Sequence, residues 1–144
     1  MSNRLDTIAP SLVLKVATLG ALDQRAIALS ACQIAGDDLQ INDPIIALAV
    51  DGLNQGKALP TEVRRGLDSA VAKYDDSYFA NQDEGKNADA LVDFSKARLF
   101  SAFSFAGMED AQIGSIEAIY EAAMAVENQS QFLDQVGIIV DKFR

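Results

Sequence analysis

The sequence predicts an all-α protein, a single-domain bundle of six or seven helices over residues 1–144, and three observations support this fold class. Apolar residues recur at spacings of three and four, the period of a helix that packs on one face. Runs that alternate apolar and polar residues, as strands do, are nearly absent. With 144 residues, of which 49% are hydrophobic and 23% charged, the chain is long enough to bury one core.

The first helices are predicted from their boundaries. Gly20 separates two apolar-periodic segments, 11–19 and 21–35, and Gly36 stands where a helix C-terminal glycine would lie. Two helices joined by a short turn are therefore expected at the start of the chain.

The middle of the chain predicts two more helices. Asp43 followed by Pro44 has the pattern of an N-cap and a first-turn proline, and this helix should end near residue 56. Residues 59–79 then contain an amphipathic stripe at helical spacing. The stripe consists of Val63, Leu67, Ala70, Tyr74 and Tyr78.

Three helices complete the bundle. Asn87 is a candidate cap for a helix that runs to about residue 106, and Gly107 breaks it. Asp110 opens the sixth helix, and Asn128 with Gln131 resembles a capping box before the last one.

The fifth helix changes character along its length. Asp89, Asp93 and Lys96 indicate a solvent face in its first half, but Phe100 and Phe103 fall on the same face in the second half. Either another element covers the end of this helix, or the two phenylalanines are exposed as aromatic anchors of an interface.

Composition excludes several classes of site. One cysteine, Cys32, leaves no intramolecular disulfide and no cysteine-based zinc site, and the absence of histidine removes the commonest general base. Acid pairs lack calcium-loop spacing, and no phosphate-binding or nucleophile motif occurs. We therefore expect no catalytic residue, no metal and no cofactor. A hydrolase that uses only carboxylates is the least favoured function.

Charge and hydropathy indicate the kind of partner. The net charge is −9, which disfavours nucleic acids and anionic membranes and favours a basic protein partner. No run of about 18 apolar residues occurs, so no transmembrane helix is expected. A cytoplasmic location is predicted, since the N-terminus lacks the pattern of a signal peptide.

Acidic residues dominate the last third of the chain, where no Lys or Arg occurs between Leu99 and Asp141. A helical wheel places Asp110, Glu117 and Glu121 in one narrow strip of the sixth helix. Such a strip is usually the solvated edge of a buried helix. It is also a candidate docking face for the basic side chains of a partner.

Two arginines occupy apolar helix faces. Arg25 and Arg98 lie among hydrophobic neighbours one turn away, and a guanidinium there must reach water or be paired. A buried ion pair, with Asp51 as one possible partner, is the structural interpretation. The functional alternative is a cleft for an anion or small ligand lined by both arginines.

Two segments, residues 25–35 (RAIALSACQIA) and 96–126 (KARLFSAFSFAG…EAIYEAAMAV), resemble the small all-α immunity proteins of bacterial polymorphic toxin systems. Arg25, Ala97 and Arg98 match the Arg-Ala and Ala-Arg positions of that pattern. The resemblance implies a cytoplasmic protein without catalysis that binds and neutralises a cognate toxin. The leading hypothesis is therefore a protein-binding module with an acidic face, and the runner-up is the ligand-binding domain.

Overall fold

The computed structural model describes residues 3–144, which form seven α-helices after a short 3-10 helix. The 3-10 helix is Arg4–Thr7, and the α-helices are α1 (Pro10–Ala17), α2 (Ala21–Leu39), α3 (Pro44–Leu53), α4 (Thr61–Asp83), α5 (Asn87–Ala106), α6 (Ala111–Ala125) and α7 (Gln129–Lys142). No strand occurs within residues 3–144, and the predicted all-α, single-domain bundle is confirmed.

Side-chain caps start three of the helices at the predicted places. The Oδ1 atoms of Asp43, Asp110 and Asn128 accept backbone N–H groups two or three residues further on, at 2.9, 2.9 and 3.1 Å. These bonds satisfy N–H groups that the first helical turn leaves without partners. Asn87 differs from its prediction, because it is the first residue of α5 and no side chain caps that helix.

Helix α2 ends beyond Gly36, the residue at which the sequence predicted its C-terminus. The helix continues to Leu39, and Gln40 adopts the left-handed conformation with φ 54°. The N–H of Ile41 donates to the carbonyl of Gly36, and the N–H of Gln40 donates to that of Asp37, each at 3.2 Å. This is a Schellman motif with glutamine where glycine is usual.

Helices α2, α5 and α6 form the centre of the bundle, and alanine dominates their contacts. Because alanine has little side-chain bulk, these helix axes can approach closely. The buried alanines of the three helices are Ala28, Ala31, Ala35, Ala90, Ala97, Ala102, Ala106, Ala118, Ala122, Ala123 and Ala125. Helices α1 and α7 pack against this centre, and α3 packs against α4.

Helix α4 covers the face of α5 that the sequence assigned partly to solvent. Asp93 is 9% exposed, and its Oδ2 accepts hydrogen bonds from Ser77 and Asn81 of α4, both at 2.7 Å. The prediction that Asp93 faces solvent is therefore wrong. The prediction failed because polar side chains of α4 donate hydrogen bonds to this carboxylate. A polar residue on α5 therefore does not have to face water.

Phe100 and Phe103 are covered as well, each 1% exposed. The Tyr74 ring of α4 stacks on Phe100, with ring centroids 5.6 Å apart and planes at 11°. Covering by another element, the first of the two alternatives, is what the structure shows. The prediction of Phe100 and Phe103 as exposed partner-binding anchors is corrected accordingly.

None of the helices within residues 3–144 combines the length and hydropathy needed to cross a bilayer.

Candidate functional site

A buried carboxylate links three parts of the fold. Glu121 of α6 is 3% exposed and lies between two arginines from distant parts of the chain. Arg98 Nη1 donates to its two carboxylate oxygens at 3.3 and 3.2 Å, and Arg4 Nη2 donates to Oε1 at 3.2 Å. Ser101 of α5 adds a hydroxyl donor at 3.3 Å. Multiple charged donors offset the cost of burying this carboxylate.

The cluster extends outward at both ends. Arg98 Nη2 donates to Asp75 of α4 at 3.3 and 3.4 Å, and Arg4 donates to Glu117 through Nε at 3.1 Å and through Nη2. Acidic and basic side chains therefore alternate from Glu117 to Asp75 across α6, the 3-10 helix, α5 and α4. The cluster therefore links elements that are far apart in the sequence.

This geometry corrects the predicted acidic docking strip on α6. Glu121 is buried and Glu117 is paired with Arg4, so neither carboxylate is unpaired in the isolated chain. Asp110 is exposed, but its carboxylate caps α6. The helical wheel correctly placed Glu117 and Glu121 on the same side of α6, but it could not identify the arginines that pair with them.

The two apolar-face arginines have separate acceptors. Arg25 is 8% exposed and donates from Nη1 to the Met108 carbonyl at 3.0 Å and from Nη2 to the Glu109 carbonyl at 2.8 Å. It thereby holds the α5–α6 turn. Arg98 has the carboxylate partners described above. The predicted pairing with Asp51 is wrong, because Asp51 is exposed and neither arginine contacts it.

An open groove with a volume of about 1220 Å³, which sequence reasoning did not identify, lies between three parts of the fold. Its walls are the C-terminal end of α2, the first half of α5 and the α6–α7 turn. Apolar residues from all three walls line it: Leu39, Ile41, Leu91, Val92, Phe94, Met124 and Val126.

Leu91 and Val92 make this groove unusual for a solvated surface. Their side chains are 65% and 52% exposed, and they are consecutive, whereas the other strongly exposed aliphatic residues lie elsewhere on the bundle. Single exposed apolar residues are normal on a protein surface, so the adjacent pair inside a concavity is what distinguishes this groove. In the sequence the pair appears as two consecutive aliphatic residues in the first half of the fifth helix.

Two exposed carboxylates lie in the walls of the groove. They belong to Asp38, near the C-terminus of α2, and Glu127, just after α6. The basic residue of the lining is Lys96, whose ammonium lies 5.3 Å from the Tyr74 ring centroid of α4. The groove therefore presents an apolar surface with an acidic edge.

Other chemically notable groups lie apart from the groove. Cys32 is fully buried, and burial raises the pKa of its thiol well above the usual range. Within residues 3–144, no group of three or more His, Cys, Asp or Glu side chains is arranged to hold a metal ion.

Comparison of the chain with family models, curated proteins and solved structures finds no match. The resemblance to immunity proteins therefore remains a prediction from the sequence, and the functional argument depends on the groove itself.

Proposed function

We propose that this protein is a non-catalytic protein-binding module that holds a basic, partly apolar segment of a partner protein in the groove. The observation that carries this proposal is the exposed pair Leu91 and Val92 in a concavity whose edge contains Asp38 and Glu127. Apolar contacts supply most of the binding free energy in such a complex, and complementary charge sets orientation and association rate.

The size and openness of the groove favour a macromolecular segment over a small ligand. Pockets for drug-sized molecules enclose roughly 300–1,000 Å³ and bury most of the ligand surface. This groove has a volume of about 1220 Å³ and is partly open to solvent. An amphipathic helix that lays its apolar face in the groove, with Lys or Arg beside the acidic edge, matches these features.

The net charge of −9 supports the same class of partner, since a basic protein is attracted over several ångströms before contact. The specific role we propose is an immunity-type inhibitor that neutralises a basic toxin or effector, by analogy with the family that the sequence resembles. The acidic edge of the groove forms the acidic face of that inhibitor.

Site-specific photocrosslinking in cells that express the protein tests the proposal. A benzoylphenylalanine at Val92 should form an adduct with a protein whose identified sequence is basic. The same group at Leu14 of α1, which is also strongly exposed, should not capture that protein. Capture at Val92 should decrease as ionic strength rises, because screening weakens the contacts with the acidic edge.

Charge-neutral variants separate the acidic edge from the apolar surface. Asp38→Asn combined with Glu127→Gln should reduce capture at low salt, whereas Asp134→Asn on the exposed face of α7 should leave it unchanged. An acidic or salt-indifferent partner, or equal capture from Leu14, would contradict the proposed function.

A further inference from the structure

The side chain of Arg4 fills a notch between α5 and α6. Its guanidinium carbon lies 4.4 Å from the centroid of the Tyr120 ring and 6.0 Å from that of Phe105. Glu117 and Glu121 accept hydrogen bonds from its Nε and Nη2 atoms. Two carboxylates and two aromatic rings thus surround one guanidinium, which suits its planar shape and its charge.

One carboxylate and both aromatic rings of the notch are positioned without Arg4, whereas Glu117 has Arg4 as its hydrogen-bond partner. Glu121 is held by Arg98 and Ser101, at 3.2–3.3 Å, and it is 3% exposed. Tyr120 is on the same helix as both carboxylates, and Phe105 is on α5. The site is therefore built by the bundle, and Arg4 is its occupant.

The occupant is anchored by its backbone, while its side chain can leave. Leu5 is fully buried, and Asn3 with Asp6 forms a capping box that fixes the 3-10 helix. The Arg4 side chain itself is 47% exposed. Rotation about its own side-chain bonds empties the notch without unfolding the N-terminal segment.

An empty notch would carry uncompensated negative charge. Without Arg4, Glu117 has no basic partner among residues 3–144, and Glu121 keeps only the guanidinium of Arg98, which it shares with Asp75. Partial burial acts to lower the pKa of Arg4, but hydrogen bonds and charge from Glu117 and Glu121 outweigh it and raise that pKa. The site thus stabilises a bound cation.

We propose that this notch is a guanidinium-binding site, which Arg4 occupies in the isolated chain and an arginine of a partner protein can occupy in its place. The notch adjoins the groove, because Phe94 and Met124 of the groove lie one helical turn from Arg98 and Tyr120. Binding of a guanidinium here is nevertheless independent of whether the groove binds a partner.

Titration of an Arg4→Ala variant with N-acetyl-arginine amide tests this assignment. Backbone amide resonances of Tyr120 and Glu121 should shift and saturate in the variant. In the wild-type protein the apparent affinity should be weaker by about tenfold or more, because Arg4 competes for the notch. N-acetyl-lysine amide at equal ionic strength should bind Arg4→Ala several-fold more weakly, since an ammonium lacks the planar fork.

Two further variants control the experiment. Lys15→Ala removes a different surface ion pair and should leave the apparent affinity for the arginine probe as weak as in the wild type. Adding Glu117→Gln to Arg4→Ala should abolish saturation. If Arg4→Ala does not fold, Arg4→Gln serves as the emptied site, since it shortens the side chain and removes the charge.

Non-saturating shifts, equal binding of the lysine probe, or binding that survives Glu117→Gln would each overturn the assignment. None of these results would alter the expected crosslinking at Val92, so the two proposals fail separately.

Discussion

At the scale of single residues, Glu121 shows how a carboxylate can be retained inside an alanine-rich bundle. Arg98, Arg4 and Ser101 together supply its donors, and the side chain is 3% exposed. Such a group adds little stability relative to a well-packed apolar side chain, but loss of one partner leaves the others buried without compensation. Its role is to align helices that have few other directional contacts.

Glu121→Gln should lower the free energy of unfolding by about 3 kcal/mol, because Arg98 then faces a neutral amide inside the bundle. Urea denaturation followed by circular dichroism measures this change. Glu127→Gln is the matched control, since Glu127 is an exposed residue just after the same helix. Similar midpoints for the two variants would show that the cluster does not stabilise the fold.

At the scale of elements, the end of α2 depends on a residue in an unfavourable backbone conformation. Gln40 has φ 54°, the one positive φ of a non-glycine residue among residues 3–144. A side chain with a Cβ atom is disfavoured there, because Cβ crowds the following carbonyl oxygen. The Schellman hydrogen bonds hold the residue in place and direct Ile41 into the groove.

Gln40→Gly should therefore raise the free energy of unfolding by about 1 kcal/mol, since glycine adopts this conformation without steric cost. Gln33→Gly, at an exposed position inside α2, should instead lower it by about 1 kcal/mol. Chemical denaturation of both variants checks the sign. If both substitutions lower the free energy of unfolding, the contacts of the Gln40 side chain stabilise the fold by more than its left-handed backbone conformation costs.

Helix α4 illustrates how an element alters the meaning of its neighbour's sequence. Leu67 is its fully buried residue, and the rest of its inner face offers Ser77, Asn81 and Asp75 to α5. Since α4 satisfies both charged and aromatic groups, α5 can bury Asp93 beside Phe100. Polar and apolar residues of α5 are therefore buried together against α4.

At the scale of the whole molecule, the excess of 21 acidic over 12 basic residues makes the outer surface acidic. Arg4, Arg25 and Arg98, three of the 12 basic residues, are held by carboxylates or carbonyls of the chain itself. Among the carboxylates, Glu121 and Asp93 are buried, while Asp38 and Glu127 remain exposed at the groove. Long-range attraction therefore acts on basic partners, and it acts at the groove as well as over the rest of the surface.

The buried thiol of Cys32 can report on opening of the whole bundle. Cys32 lies in the central helix α2, and burial raises its pKa, so the folded protein should not react with a disulfide reagent such as DTNB. Labelling should proceed only through unfolding. Glu121→Gln should accelerate it about 100-fold if that variant loses about 3 kcal/mol.

The labelling rate in native buffer is measured by absorbance for the wild-type protein and for the less stable Glu121→Gln variant. It should rise with pH through the thiol pKa of the unfolded chain, near 8.5, because the thiolate of the opened state is the reactive form. A rapid phase in the wild-type protein, insensitive to the Glu121 substitution, would show that α2 opens locally.

Helix positions and several caps followed from the sequence, because they depend on residues within one or two turns of each other. Asp43, Asp110 and Asn128 bond to backbone groups two or three residues away, so their pattern identifies them without knowledge of the fold. The extension of α2 through Gly36 was missed, since glutamine is not a usual residue for the left-handed position at its end.

The cluster and the groove were decided by tertiary structure alone. Arg4 and Glu121 are 117 positions apart, and α4 approaches Asp93 only when the α4–α5 hairpin closes. Periodicity identifies which residues share a helix face, but it does not identify what covers that face. The sequence by itself therefore determined the all-α class and the net negative charge, which depend on local pattern and composition. Packing decided which carboxylates stay free, because pairing requires a partner from another helix.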